Sequence, residues 1–192
     1  MTNVDFDALR LDLRRLREEA SSRNQPATEG IARLRKLLAD VNGEEERFQL
    51  YLMLELELQL NGDYFAALDV TTARWNEFRD IASQCGLGEA LMNCKRHNEG
   101  MAKFKSAFQK AVEEKKLVNM SFEYLARGSL QTRDIETLKI AAGQLLQLPI
   151  DYTENDIPME SDWLDDAQEL GLANDIINAI IRRARAQKSM LD

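Results

Sequence analysis

Histidine is almost missing from this chain: His97 stands alone among 192 residues. One imidazole excludes a two-histidine metal site or a histidine-based triad within a single chain, and His97, beside an expected turn, reads as a surface side chain. Cysteine is nearly as scarce. Cys85 and Cys94 are too few for a disulfide framework and are not at a ligand or redox spacing. They read as buried structural thiols in a chain suited to a reducing cytoplasm. No apolar stretch approaches the ~20 residues of a membrane span. The opening Met1-Thr2-Asn3-Val4-Asp5 lacks the basic end and apolar run of a signal peptide. Gly-rich phosphate loops, nucleophile elbows and His-Glu metal signatures are also missing. The sequence therefore carries the expectation of no cofactor, no bound metal and no membrane association.

Helix breakers are few as well, with three prolines and nine glycines. The remainder is rich in Leu, Ala, Glu, Arg and Lys, which favour helices. The expected fold is all-α, a single helical domain over residues 1–192, and a globule this size buries roughly 70% of its unfolded surface. Helical spacing of apolar residues marks the segments. Asp5 to Arg23 carries Phe6, Leu9, Leu13 and Leu16 on one stripe, and Thr28 to Val41 carries Ile31, Leu34 and Leu38. Glu44 to Leu60 and Asp63 to Ser83 follow. In Leu87 to Lys115, Asn98-Glu99-Gly100 favours a tight turn between two helices over one long helix. Phe122 to Ala126 is expected to stop at Arg127-Gly128, and Asp134 to Gln147 at Pro149. After a loop over residues 150–159, Ser161 is expected to cap a helix over 162–170, and Asn174 the last one. Arg182, Arg183 and Arg185 suit the C-terminal dipole end of that helix. The total is roughly nine or ten helices in about five antiparallel hairpins.

Asn61-Gly62-Asp63-Tyr64 is the clearest local signal. Asn-Gly supplies a left-handed residue that ends one helix, and Asp63 can cap the next. Glu44 to Leu60 contains no Gly, Pro or β-branched residue, so two long helices are joined by a very short connection. This hairpin resembles one tetratricopeptide repeat, a helix–turn–helix unit of about 34 residues. Tyr51, Leu54 and Leu58 fall on that family's first-helix core positions, Gly62-Asp63-Tyr64 on its turn, and Ala67 on its small packing residue. Glu55 stands where a small residue is expected, Thr71 replaces an aromatic, Arg74 an alanine and Arg79 the closing proline. The likeness covers residues 48–78. It implies stacked hairpins in a tetratricopeptide-like or irregular helical array that serves as an interaction scaffold.

Met53 to Leu60 alternates apolar and polar residues, a strand pattern, yet Leu, Glu, Gln and Met without Val, Ile or Thr favour a helix. On that helix Leu54 and Leu58 join Tyr51, while Leu52, Leu56 and Leu60 take a second face. The resemblance places those three in the inner, ligand-bearing groove. An exposed apolar stripe is unusual on a soluble monomer, so another helix of the chain or a partner is expected to cover them.

The net charge of −8 is unevenly placed. Between Lys139 and Arg182 no lysine or arginine occurs, and nine acids do: Asp151, Glu154, Asp156, Glu160, Asp162, Asp165, Asp166, Glu169 and Asp175. The other 24 acids face 25 bases. Clustered Lys and Arg on one face, the footprint of nucleic-acid binding, are not evident. The acidic segment, residues 140–181, lacks the ligand spacing and central glycine of a calcium loop. It interleaves Tyr152, Ile157, Met159 and Trp163 with its acids, the makeup of a recognition patch for a basic protein. A solvated acidic face explains the same residues, and Trp163 suits a core anchor at a helix start. The expected partner-binding set is Asp151, Tyr152, Glu154, Asp156, Ile157, Met159, Glu160 and Asp162.

These features describe a non-enzymatic protein–protein interaction module, in its most concrete form an immunity or antitoxin-type protein that neutralises a basic toxin domain. The alternatives are a homodimeric structural or regulatory adaptor joined through Leu52, Leu56 and Leu60, and an enzyme using carboxylates alone.

Overall fold

The computed structural model describes residues 4–149 and 162–188, and among them every regular element is a helix. The fold is all-α. The chain divides into two compact units, Met1–Phe78 and Arg79–Asp192.

The first unit holds α1 (Phe6–Ser22), α2 (Thr28–Asp40), α3 (Glu44–Leu60) and α4 (Tyr64–Phe78). Asp5 caps α1 by accepting from the Ala8 N–H at 3.0 Å, which satisfies a donor that the first helical turn leaves open. The α1 stripe of Leu9, Leu13 and Leu16 is buried, as are Ile31 and Leu34 of α2. Gly30 lets the two helices close on each other, since a Cβ there would lie 2.9 Å from Leu13 Cδ2. The turn after α3 forms as its residues dictate. Gly62 takes φ +77°, the Asp63 N–H donates to Leu58 O at 2.9 Å, and Asp63 Oδ1 accepts from the Ala66 N–H at 3.1 Å.

The expected run from Asp63 to Ser83 is instead two helices. Arg79 adopts φ +55°, and Asp80 caps the next helix by accepting from the Ser83 N–H at 2.7 Å. No glycine or proline marks this break, which is also the boundary between the two units.

The second unit comprises α5 (Ile81–Asn93), α6 (His97–Glu114), α7 (Val118–Thr132), α8 (Ile135–Gln147), α9 (Leu164–Glu169) and α10 (Asn174–Lys188). Its core joins Cys85, Phe104, Phe108, Phe122, Leu138, Leu145, Trp163 and Ile180. Two glycines expected to stop helices lie inside them. Gly100 sits within α6, where a Cβ would come 2.8 Å from the Gly88 carbonyl oxygen. Gly128 sits within α7, where a Cβ would come 2.7 Å from Phe104. Both positions are bare so that helices can approach closely. The α5–α6 turn falls earlier than expected, at Lys95 with φ +63°. Gly88 and Gly100 thus set a contact between helices, and the turn belongs to a lysine.

Candidate interaction surfaces

The α3–α4 hairpin buries a pair of opposite charges. Glu55 and Arg74 meet each other: Arg74 Nη1 lies 3.2 Å from Glu55 Oε2, with side chains 2% and 8% exposed. The guanidinium also lies 5.6 Å from the Phe48 ring centroid, a cation–π distance. Gln59 Nε2 donates to Glu55 Oε1 at 3.4 Å. Thr71 satisfies its hydroxyl within its own helix, donating to Ala67 O at 2.8 Å.

Beside this pair, Arg47 donates to Glu77 through Nε and Nη2, and to Leu38 O at 2.8 Å. The Tyr51 hydroxyl donates to Glu77 Oε2 at 2.9 Å. The Arg47 hydrogen bond holds the Glu77 carboxyl below its ordinary pKa, against partial burial. Burial first, then Glu77, pushes the Tyr51 phenol up. These bonds fasten α3 to α4 and to the end of α2, and they occupy both arginines of the hairpin.

The second face of α3 is open. Leu52, Leu56 and Leu60 are 38%, 51% and 59% exposed, so among the described residues no helix covers them fully, and a partner is the other cover that the sequence expects. Tyr64 and Phe65, the first residues of α4, are 45% and 73% exposed. Leu56 and Leu60 border a cleft of about 710 Å³ whose far wall is the end of α1, with Arg17, Ala20 and Asn24. Glu57 lines the same cleft, is buried, and accepts from Arg17 Nη1 at 2.9 Å. Burial raises its pKa, and Arg17 opposes that rise. The Ala27 N–H donates to Asn61 Oδ1 at 3.0 Å, tying the α1–α2 connection to the α3–α4 turn.

In the acidic segment, Asp151, Tyr152, Glu154, Asp156, Ile157, Met159 and Glu160 lie outside the described residues, as does Ser161. Asp162 is exposed and bonds Arg127 of α7 at 2.8 Å. Trp163 is a core anchor, 2% exposed and edge-on to Phe122 at 5.7 Å. Asp162, Asp166 and Glu169 share a cleft of about 680 Å³ with Arg127 and Arg133. The fold therefore brings two bases to a stretch that has none in sequence, a juxtaposition with no local signal. Arg183, expected to suit the dipole end of α10, is buried, and it donates to Leu148 O at 2.7 Å and Pro149 O at 2.9 Å. It holds the two residues that follow α8.

His97 opens α6 half-buried rather than on the surface. Cys85 is buried as expected, while Cys94 is only partly covered. Among the described residues no group of three or more His, Cys, Asp or Glu could hold a metal ion, and no helix is long and apolar enough to cross a membrane. No family model, curated protein or solved structure matches this chain.

Proposed function

We propose that this chain is a non-enzymatic, tetratricopeptide-like helical module that binds another protein. The observation that carries the reading is the open leucine row of α3, Leu52, Leu56 and Leu60, with Tyr64 and Phe65 close behind it in the chain. Contiguous exposed apolar surface marks a place where a second molecule sits. The acidic segment supports a basic partner. Like charge concentrated in one stretch speeds encounter with a positive surface and is screened by salt. Tyr152, Ile157 and Met159 supply apolar anchors among those charges. A cytoplasmic immunity or antitoxin-type protein that occludes a basic toxin domain is the concrete form of this reading.

Affinity capture from native lysate, at low and then high salt, tests it. Wild-type chain is compared with a variant carrying Asp151→Asn, Glu154→Gln, Asp156→Asn and Glu160→Gln. A stoichiometric basic protein held at low salt, and associating more slowly with the variant, supports the proposal. A chain that retains no protein at either salt overturns it. A homodimer packed through the same three leucines is the second reading, favoured by the same exposed row, and sedimentation of the purified chain separates the two.

A further inference from the structure

Sequence places the net acidity of the chain in its C-terminal segment, but the fold makes a second acidic surface around the leucine row. Residues 41–78 hold eight acids and two bases. Both bases are consumed inside the hairpin: Arg47 on Glu77, and Arg74 buried on Glu55 beneath Phe48. Of the acids, Glu77 and Glu55 answer those arginines and Glu57 answers Arg17. What remains outside those pairs is Glu44, Glu45, Asp63 and Asp69, all exposed, and the half-exposed Glu46, and among the described residues none of these five is in an ion pair. Glu45 precedes Leu52 by two helical turns and so stands on the same face. Asp63 closes the other end of the row, in the turn just past Leu60. An apolar ridge about 12 Å long, from Leu52 to Leu60, is thus bracketed by acids with no free base on the hairpin.

We infer that this face of α3 seats a cationic amphipathic helix, one whose apolar stripe lies on Leu52, Leu56 and Leu60 while flanking lysines or arginines meet Glu45 and Asp63. The inference rests on the protein-binding reading and specifies its partner. A helix fits because residues at i, i+4 and i+8 form a straight ridge that packs into the groove of another helix. An extended peptide would need a sheet edge, and the described residues form none. A second copy of this chain offers the same leucines but sets like acids against one another, so a cationic helix is the better match.

The test uses the full chain and a synthetic amphipathic helix of about 18 residues, with a leucine stripe flanked by lysines. Its counterpart carries glutamates in place of the lysines. Fluorescence anisotropy should show that the lysine peptide binds, more weakly at high salt, and that the glutamate peptide does not. Leu52→Gln, Leu56→Gln and Leu60→Gln together should weaken binding by about tenfold or more, with the helical circular dichroism of the folded chain retained at the assay temperature. Glu45→Gln with Asp63→Asn should flatten the salt dependence. Retained affinity in the leucine variant, or equal binding of both peptides, overturns the inference. A dimer of the free chain that the leucine variant dissolves assigns the row to a second copy and also overturns it. A lysate partner that still binds the leucine variant leaves protein binding standing while this inference falls.

Discussion

Truncating Arg74 to alanine leaves Glu55 as a carboxylate 6% exposed with its nearest cation gone. Removing one partner of a buried pair costs about 3–5 kcal/mol, because the remaining charge keeps its desolvation penalty and loses its compensation. The loss of the Phe48 contact adds about 0.5–1 kcal/mol. Each kcal/mol moves the melting temperature of a domain this small by roughly 4–8 °C, so the Met1–Phe78 unit should melt at least about 12 °C lower. Glu55→Ala should cost a comparable amount by stranding the guanidinium. Replacing both together, Glu55→Leu with Arg74→Met, should recover most of the loss, because packed apolar side chains of similar volume often match or exceed a buried ion pair. The geometry favours that recovery: the pair approaches to 3.2 Å, yet Arg74 Nε and Nη1 have no aligned hydrogen-bond acceptor. Urea unfolding of the four chains, followed by the circular dichroism of the helices, gives the coupling directly. Single variants that each lose less than about 1 kcal/mol, or a double variant as unstable as the sum of the singles, would refute the reasoning.

Glu57 carries a pH prediction. Its folded pKa is raised, chiefly by burial, so the fold favours the protonated acid. The stability this contributes is full below the ordinary carboxylate range and is lost as pH rises through the raised value. Glu57→Gln should therefore match wild type in acid and equal or exceed it at neutral pH, and melting curves across pH 3–8 check this. Gly100→Ala should destabilise by about 1–3 kcal/mol, since its Cβ would press on the Gly88 carbonyl. Gly143→Ala in α8, where a Cβ meets nothing within 4 Å, should stabilise by up to about 1 kcal/mol through helix propensity. Parallel urea titrations settle the sign of both. Trp163→Ala should cost about 3–5 kcal/mol and remove near-ultraviolet dichroism arising from its packing on Phe122; a loss under about 1 kcal/mol would place the ring outside the core.

What the sequence made legible was local chemistry. Asp63 caps α4 as expected, Asn61-Gly62-Asp63 turns where it should, and α3 has both expected ends. What stayed hidden was decided between elements. Gly100 and Gly128 look like stops in one dimension and are contact points in three. Arg183 looks like a dipole-end cation and is a buried clamp on two carbonyls of the α8 terminus. Of the candidate surfaces, the leucine row was readable because it follows from periodicity. Its acidic frame was not, because that depends on which partners the two hairpin arginines choose.

The left-handed turn residues Arg79, Lys95, Lys115 and Arg133 have φ between +55° and +63° and are all exposed. Each follows a helix C-terminus, where a cation is favoured although glycine would be the easier backbone. A protease that cuts after basic residues consequently finds accessible sites at four successive interhelical turns, α4–α5 through α7–α8. Brief digestion of the native chain should release fragments ending at helix boundaries, so that their masses report the order in which the turns open.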